Sequence, residues 1–347
     1  MKYKELGKSK IKVSEFCLGT MTWGQATKKD DAHLQMNMSL DEGINFFDTA
    51  ELYPTNPIKR ETAGETEKIL GEWIKKTKLR EKIILATKIV GNKSSTVRDG
   101  TKINPKNIRI SLEGSLKRLN TEYIDLFQLH WPNRGSYHFR KNWNFIPTKL
   151  NEEEIYQDFF EVLNCLSLLV KEGKIREFGV SNESAWGVLK YLEVSKKYDL
   201  PNIASIQNEY SLLCRSYDTD LSEVSLNENI FLMSYSPLAA GLLTGKYQRN
   251  KKPNFSRLFS NPSLGGRLND RSIKIVNEYL ELSKKYSVDL IHLAISFSAS
   301  RPFMGSVIIG ATSAEQLKFL FNGLEIKLDE NILKEINIIN QKNPLPF

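Results

Sequence analysis

Residues 83–130 read IILATKIVGNKSSTVRDGTKINPKNIRISLEGSLKRLNTEYIDLFQLH, and this stretch decides the fold. An apolar run, Ile83–Thr87, precedes a helix with legible punctuation, and a second apolar run, Leu126–Leu129, follows it. Asn104 stands where a helix cap belongs and Pro105 where a helix opens, while Ile108, Leu112, Leu116 and Leu119 recur at helical spacing. Two short apolar strands joined through a helix form a βαβ unit, whose strands lie parallel.

Outward from this unit the pattern repeats. Further strand candidates are Phe16–Leu18, Asn45–Asp48, Phe178–Val180, Ala204–Gln207, Phe231–Ser234 and Val307–Ile309. A second helix begins at Asn151 with three Glu in its first turn, turns Ile155, Phe159, Val162, Leu166 and Leu169 inward, and stops at Lys171 and Gly173. Eight strands, each followed by a helix or a long excursion, predict an α/β fold: one (β/α)8 TIM barrel over residues 1–347. An open doubly wound sheet would carry a GxGxxG after its first strand, and none is present. Lys2–Leu6 and Lys10–Val13 around Gly7-Lys8-Ser9 read as a hairpin, residues 1–14, that closes the barrel bottom. Residues 131–150 and 247–270 fit neither period and are expected as long loops on the catalytic face, with C-terminal helices over 313–347.

Composition sets the limits. With 347 residues, 40% hydrophobic and 26% charged, the chain has the balance of a soluble globular protein, which argues against disordered, collagenous and membrane-spanning classes. The excess of Lys and Arg over Asp and Glu is 49 − 41 = +8, which suits an anionic ligand. Its basic residues are scattered among acidic ones without a recognition motif, so no nucleic-acid partner is expected. Cys17, Cys165 and Cys214 stand far apart, giving neither a CxxC pair nor a disulfide framework, so a cytoplasmic location is expected. No apolar leader opens the chain, and its longest uncharged run, residues 229–245, is broken by Ser, Pro and Gly, so no membrane partner is expected either. His33, His130, His138 and His292 lack metal-ligand spacing, so no metal is expected. Gly241-Leu242-Leu243-Thr244-Gly245-Lys246 is one residue short of a P-loop, and Tyr247 stands where Ser or Thr would hold magnesium.

If the strand ends of one rim make the site, Asp48, Lys88 and His130 each follow an apolar strand and converge, with Tyr53 five residues past Asp48. Singly, each has an ordinary structural role, as a helix cap, a solvated lysine, a core histidine or a surface tyrosine. As a set they suit proton donation to a carbonyl oxygen: a phenol is a weak acid at pH 7, an ammonium lowers its pKa, a carboxylate fixes that ammonium, and an imidazole orients the oxygen. The turn Gly310-Ala311-Thr312-Ser313 before a helix reads either as an anion site or as plain capping by Thr312 or Ser313.

At these residues the sequence resembles the aldo-keto reductase superfamily. The motifs are Gly19-Thr20-Met21-Thr22-Trp23-Gly24, Asp48-Thr49-Ala50-Glu51-Leu52-Tyr53, Thr87-Lys88, Leu129-His130-Trp131, Gly179-Val180-Ser181-Asn182, Gln207-Asn208-Glu209-Tyr210 and Ser234-Tyr235-Ser236-Pro237. Within the superfamily the chain looks most like the branch of bacterial Tas-like reductases and potassium-channel β-subunits.

The resemblance implies NADPH-dependent reduction of an aldehyde or ketone, with NADH the less favoured cofactor. Tyr53 is then the general acid, Lys88 and Asp48 the pair that lowers its pKa, and His130 the residue that aims the carbonyl. Ser181, Asn182 and Gln207 would hold the carboxamide, Tyr235 stack on the nicotinamide, and Thr20 with Asp48 lie near its ribose. Ser236, Leu238, Lys246 and Arg257 would face the phosphates, and Gly310, Thr312 and Gln316 the adenosine end. Phe319 and Leu320 replace the Glu-Asn pair that usually holds adenine. The rival implied by the same resemblance is a non-catalytic, cofactor-binding regulatory subunit, a branch that tends to carry Asn where this chain has His130. For the carbonyl pocket, Trp23 and Trp131 join Tyr53 and His130, with Trp143 as a further wall, while Arg134, His138, Arg140 and Lys141 read either as an attraction for an anionic substrate or as a solvated basic loop.

Overall fold

Parallel pairing closes eight strands into a barrel. The computed structural model describes residues 1–254 and 256–347; Phe255, inside the second expected loop, lies outside the described residues. A two-stranded antiparallel hairpin comes first, β1 (Tyr3–Glu5) and β2 (Lys12–Ser14). The barrel strands are β3 (Phe16–Gly19), β4 (Phe46–Asp48), β5 (Ile84–Ile89), β6 (Ile124–Leu129), β7 (Ile175–Ser181), β8 (Ser205–Glu209), β9 (Phe231–Tyr235) and β10 (Met304–Ile309), with β10 pairing back onto β3. Around them run α1 (Lys29–Asp41), α2 (Glu65–Thr77), α3 (Pro105–Leu119), α4 (Glu152–Lys171), α5 (Ala185–Tyr198), α6 (Asp220–Glu228), α7 (Asp270–Lys285), α8 (Leu290–Ala299), α9 (Ala314–Phe321) and α10 (Glu330–Lys342).

Local chemistry explains these boundaries. Asn104 accepts a hydrogen bond from Asn107 N ahead of Pro105, and Asn151 accepts one from Glu154 N. Three Glu open α4 and Lys171 closes it, matching the helix dipole. Several strands run further than their apolar runs indicate: β5 ends at Ile89, so Lys88 lies within it, and β6 begins at Ile124 and β7 at Ile175. Parallel pairing uses backbone alone, so it continues through charged residues when a partner is in register. Asp125 within β6, fully buried, takes Arg80 at 2.7 Å and Arg176 at 2.6 Å. Asn45 falls outside β4; its side chain ties the hairpin to the barrel, accepting from Ser14 N and donating to Lys12 O. The second loop ends at Asn269, because Asp270 already opens α7 behind a capping box at Asn269 and Ser272.

Side-chain alternation divides the barrel into inside and outside. Phe16, Leu18, Phe47, Leu85, Phe127 and Leu129 point out into the main core under the helices. Cys17, Phe46, Ala86, Leu126, Met233 and Ile308 point in, and Leu6, Ile11 and Val13 of the hairpin plug the same cluster from the N-terminal strand ends. The barrel therefore has an apolar floor, and whatever it binds enters from the C-terminal rim.

Candidate active site

Two residues beyond the floor, each strand presents its next inward side chain. Phe46 is followed by Asp48, Ala86 by Lys88, Leu126 by Gln128 and Ser205 by Gln207, all buried. Lys88 Nζ donates to Asp48 Oδ2 at 2.6 Å, to Thr49 O at 2.8 Å and to Tyr53 Oη at 3.1 Å. The other carboxylate oxygen, Asp48 Oδ1, accepts from Gln207 Nε2 at 2.9 Å and from Gln128 Nε2 at 3.1 Å. Gln128 is a member of this polar layer that sequence reading passed over; its signal was the alternation after Leu126.

Burial is the largest influence on every titrating group here. It pushes the Tyr53 phenol above its ordinary value, and Lys88 pulls the other way without reversing it. The sequence predicts that Lys88 lowers the Tyr53 pKa; the ammonium does act in that direction, against a larger rise caused by desolvation. For Lys88 burial acts downward, yet Asp48 and Tyr53 outweigh it and hold the ammonium charged. His130 is pushed well below its ordinary value by burial and then by Lys88, so its imidazole is neutral at pH 7. The His130 ring meets Tyr53 edge-on with centroids 5.9 Å apart, and its Nδ1 has no partner among the described residues.

The rim beyond β6 to β9 gathers a second set. Ser181 Oγ donates to Gln207 O at 2.7 Å, and Asn182 Nδ2 donates to His130 O at 2.9 Å. Tyr235 Oη donates to Asn182 Oδ1 at 2.7 Å, which fixes the Tyr235 ring beside this set. Thr20, fully buried, donates to Asp48 O at 2.9 Å. Ser236 follows Tyr235 with φ +56°, and half-buried Leu238 leads into the turn Ala239–Thr244. Lys246 and Arg257 lie close enough for each to feel burial first and a neighbouring cation second; among the described residues neither has an acidic partner within 4.0 Å. Two partnerless cations on one loop suit the pyrophosphate of a dinucleotide. No group of His, Cys, Asp and Glu among the described residues has metal-ligand geometry.

Some expectations change. At Gly310-Ala311-Thr312-Ser313 and the first turn of α9, three backbone donors are already used: Thr312 N, with its Oγ1, donates to Gln316 Oε1, Ala314 N to Asp31 Oδ1 and Gln316 N to Ser313 Oγ. Ser313 caps α9, and the Gln316 amide is folded back on Thr312. Leu320 is buried and Phe319 stacks on His292 at 4.7 Å. Trp23 has no exposed surface and belongs to the main core, and Trp143 is 60% exposed, so neither walls the pocket. Trp131 does border the buried polar group: it leans on His130 at 5.0 Å and donates from Nε1 to Asn92 O at 3.0 Å. Arg134 forks onto the buried Glu183 carboxylate, Arg140 meets Glu209 Oε2 at 2.6 Å, and His138 Nε2 donates to Glu183 O at 3.1 Å. These groups are spent inside the protein, so the expected attraction for anions loses its cations; Lys141 alone of that set is exposed. The acids that hold the loops, Glu51, Glu183 and Glu209, were missed in the sequence because nothing local marks their partners.

The sequence matches the model of the Aldo/keto reductase family over residues 15–341. It is 39% identical to Protein tas of Escherichia coli over 100% of this chain and 99% of that protein. Over 98% of the chain and 96% of the relative it is 31% identical to a Bacillus subtilis protein named as the uncharacterized oxidoreductase YrpG. An Arabidopsis thaliana protein named as a probable voltage-gated potassium channel subunit beta is 29% identical over 99% of this chain and 98% of its own.

Proposed function

Because the chain belongs to the aldo/keto reductase family, an oxidoreductase family, we propose that it reduces an aldehyde or ketone to the alcohol with NADPH. The observation that carries this reading is the buried hydrogen-bonded chain Asp48–Lys88–Tyr53 with neutral His130 edge-on to it, over an apolar floor open at one rim. Tyr53 Oη gives its proton to the carbonyl oxygen as negative charge develops there, and Lys88, kept charged by Asp48, stabilises the phenolate left behind. His130 aims the oxygen. Bound NADPH supplies the hydride at the carbonyl carbon.

Ser181, Asn182 and Gln207 would hold the carboxamide, the Tyr235 ring would stack on the nicotinamide, and Thr20 and Asp48 would lie near its ribose. Ser236, Leu238, Lys246 and Arg257 take the phosphates, and Gly310, Thr312 and Gln316 the adenosine end, with NADPH preferred over NADH on the strength of the two cations. Trp131, Tyr53 and His130 line the carbonyl pocket. No described helix is long and apolar enough to cross a membrane, and three separated thiols support a cytoplasmic enzyme whose partner is a small carbonyl compound.

A fluorescence titration with NADPH and NADH tests the cofactor, and absorbance decay of the reduced nicotinamide with a panel of aldehydes and ketones tests the reaction. Tight NADPH binding with turnover is expected. The full-length likeness to proteins named as probable channel β-subunits favours a second reading, a cofactor-binding regulatory subunit, which tight binding without turnover would select.

A further inference from the structure

One buried carboxylate outside the reacting group joins both long loops of the rim. We infer that Glu209 is a positioning residue that clasps the substrate-side loop, residues 131–150, to the cofactor-side loop, residues 247–269, and thereby couples cofactor capture to assembly of the carbonyl pocket. The coupling rests on the proposed cofactor and substrate sites; the clasp itself stands on geometry alone.

Glu209 ends β8 and is 6% exposed. Its Oε2 accepts from Arg140 Nη1 at 2.6 Å and its Oε1 from Arg267 Nε at 2.7 Å, so one carboxylate serves a guanidinium from each loop. Among the described residues neither arginine has another acid within 4.0 Å. The loops also touch directly: a Cβ built on Gly266 would lie 3.6 to 3.8 Å from the Cδ, Cβ and Cγ of Arg140, so the Arg140 stem rests on the backbone of the other loop.

Both ends of this link reach the proposed site. Phe139 and Arg140 hold φ of +61° and +60°, a backbone conformation that non-glycine residues keep when the surroundings over-determine it, and the buried ion pair does so. Phe139 so placed meets Trp131 edge-on at 6.1 Å, and Trp131 leans on His130. On the other side, Glu209 pairs in register with Tyr235. Arg267 lies near enough to Arg257 that, after burial, it is the main influence lowering the Arg257 pKa. Arg257 and Arg267 stand on the same loop, so an anion held at Arg257 acts on the loop that Arg267 ties to Glu209.

Hydrogen–deuterium exchange read by mass spectrometry, with and without NADPH, tests this alongside steady-state kinetics. Glu209→Gln leaves two buried like charges and is at risk of not folding, so Arg140→Met, which keeps the Arg267–Glu209 pair, is made with it. In the unmodified chain NADPH should slow exchange in both loops. Arg140→Met should speed exchange in residues 131–150 about tenfold, abolish their response to NADPH, leave residues 256–269 responsive, and raise the carbonyl KM about tenfold with kcat within threefold. Arg140→Lys, restoring the charge, should recover part of each effect. Unchanged exchange in residues 131–150 of Arg140→Met, or protection there by NADPH as in the unmodified chain, overturns the proposal. Should the unmodified chain fail to bind NADPH, the reductase reading falls while the cofactor-free exchange still decides the clasp.

Discussion

Lys88 Nζ and Asp48 Oδ2 lie 2.6 Å apart with almost no surface open to water, so ammonium and carboxylate form one neutral unit above the barrel floor. Breaking such a pair on one side strands a buried charge. Lys88→Met should destabilise the fold by about 3–5 kcal/mol, and adding Asp48→Asn should return much of that loss. Urea unfolding followed by circular dichroism checks it; equal midpoints for the single and double variants would show that Asp48 needs no cation.

Tyr53→Phe removes only the proposed proton donor. Carbonyl reduction should fall at least about a thousandfold while the NADPH Kd stays within about threefold. Survival of the rate within tenfold would displace Tyr53 from its role. Since burial raises the Tyr53 pKa above its ordinary value, the phenol stays protonated and reduction by the unmodified chain should show no alkaline loss between pH 7 and pH 9.

His138 is pushed down to about 4 by burial and, more weakly, by Arg140. Between that value and the unfolded value near 6.5 the unfolded chain binds more protons, so stability rises with pH in this window and is unaffected above it. As pH falls from 6.5 toward 4 this one group should cost roughly 3 kcal/mol. Urea midpoints across pH 7.5 to 4.5 should fall less steeply for His138→Gln, whose amide can still donate to Glu183 O.

Arg140 and Arg134 are neutralised by Glu209 and Glu183, so charge at the first loop does not select substrate. Arg140→Glu, facing Glu209, should raise KM alike for neutral and carboxylate-bearing aldehydes. A rise confined to the anionic ones would restore the attraction that the sequence pattern implied.

Gly91 packs against Trp131: a Cβ there would clash with the indole Cδ1 and Nε1. Gly91→Ala must shift the ring that leans on His130. Aromatic aldehydes should then show a raised KM and acetaldehyde-sized ones little change, as measured by the same absorbance assay.

Much of this was legible in the sequence because strands and helices write their periods locally. Asp48, Lys88 and His130 could be found as polar residues ending apolar runs, since alternation fixes which side chains face the barrel interior. The same rule applied after Leu126 would have found Gln128. What stayed hidden depends on loops. Arg134 and Arg140 read as cations open to an anion in the sequence, yet each is pinned to a glutamate just past or at a strand end, Glu183 and Glu209. Loop conformation, not local pattern, pairs them. Likewise Trp23 and Trp131 look equivalent as aromatics beside strand ends, and only the fold sends one into the core and leaves the other beside His130.

The hairpin that plugs the floor precedes every barrel strand in the chain, yet Leu6 and Val13 share their cluster with Ala204, Phe231 and Ile308. During synthesis these two strands have nothing to seal until most of the barrel exists. Closure of the floor is therefore a late and long-range event, and the apolar edge of an early segment stays exposed while its partners are still being made.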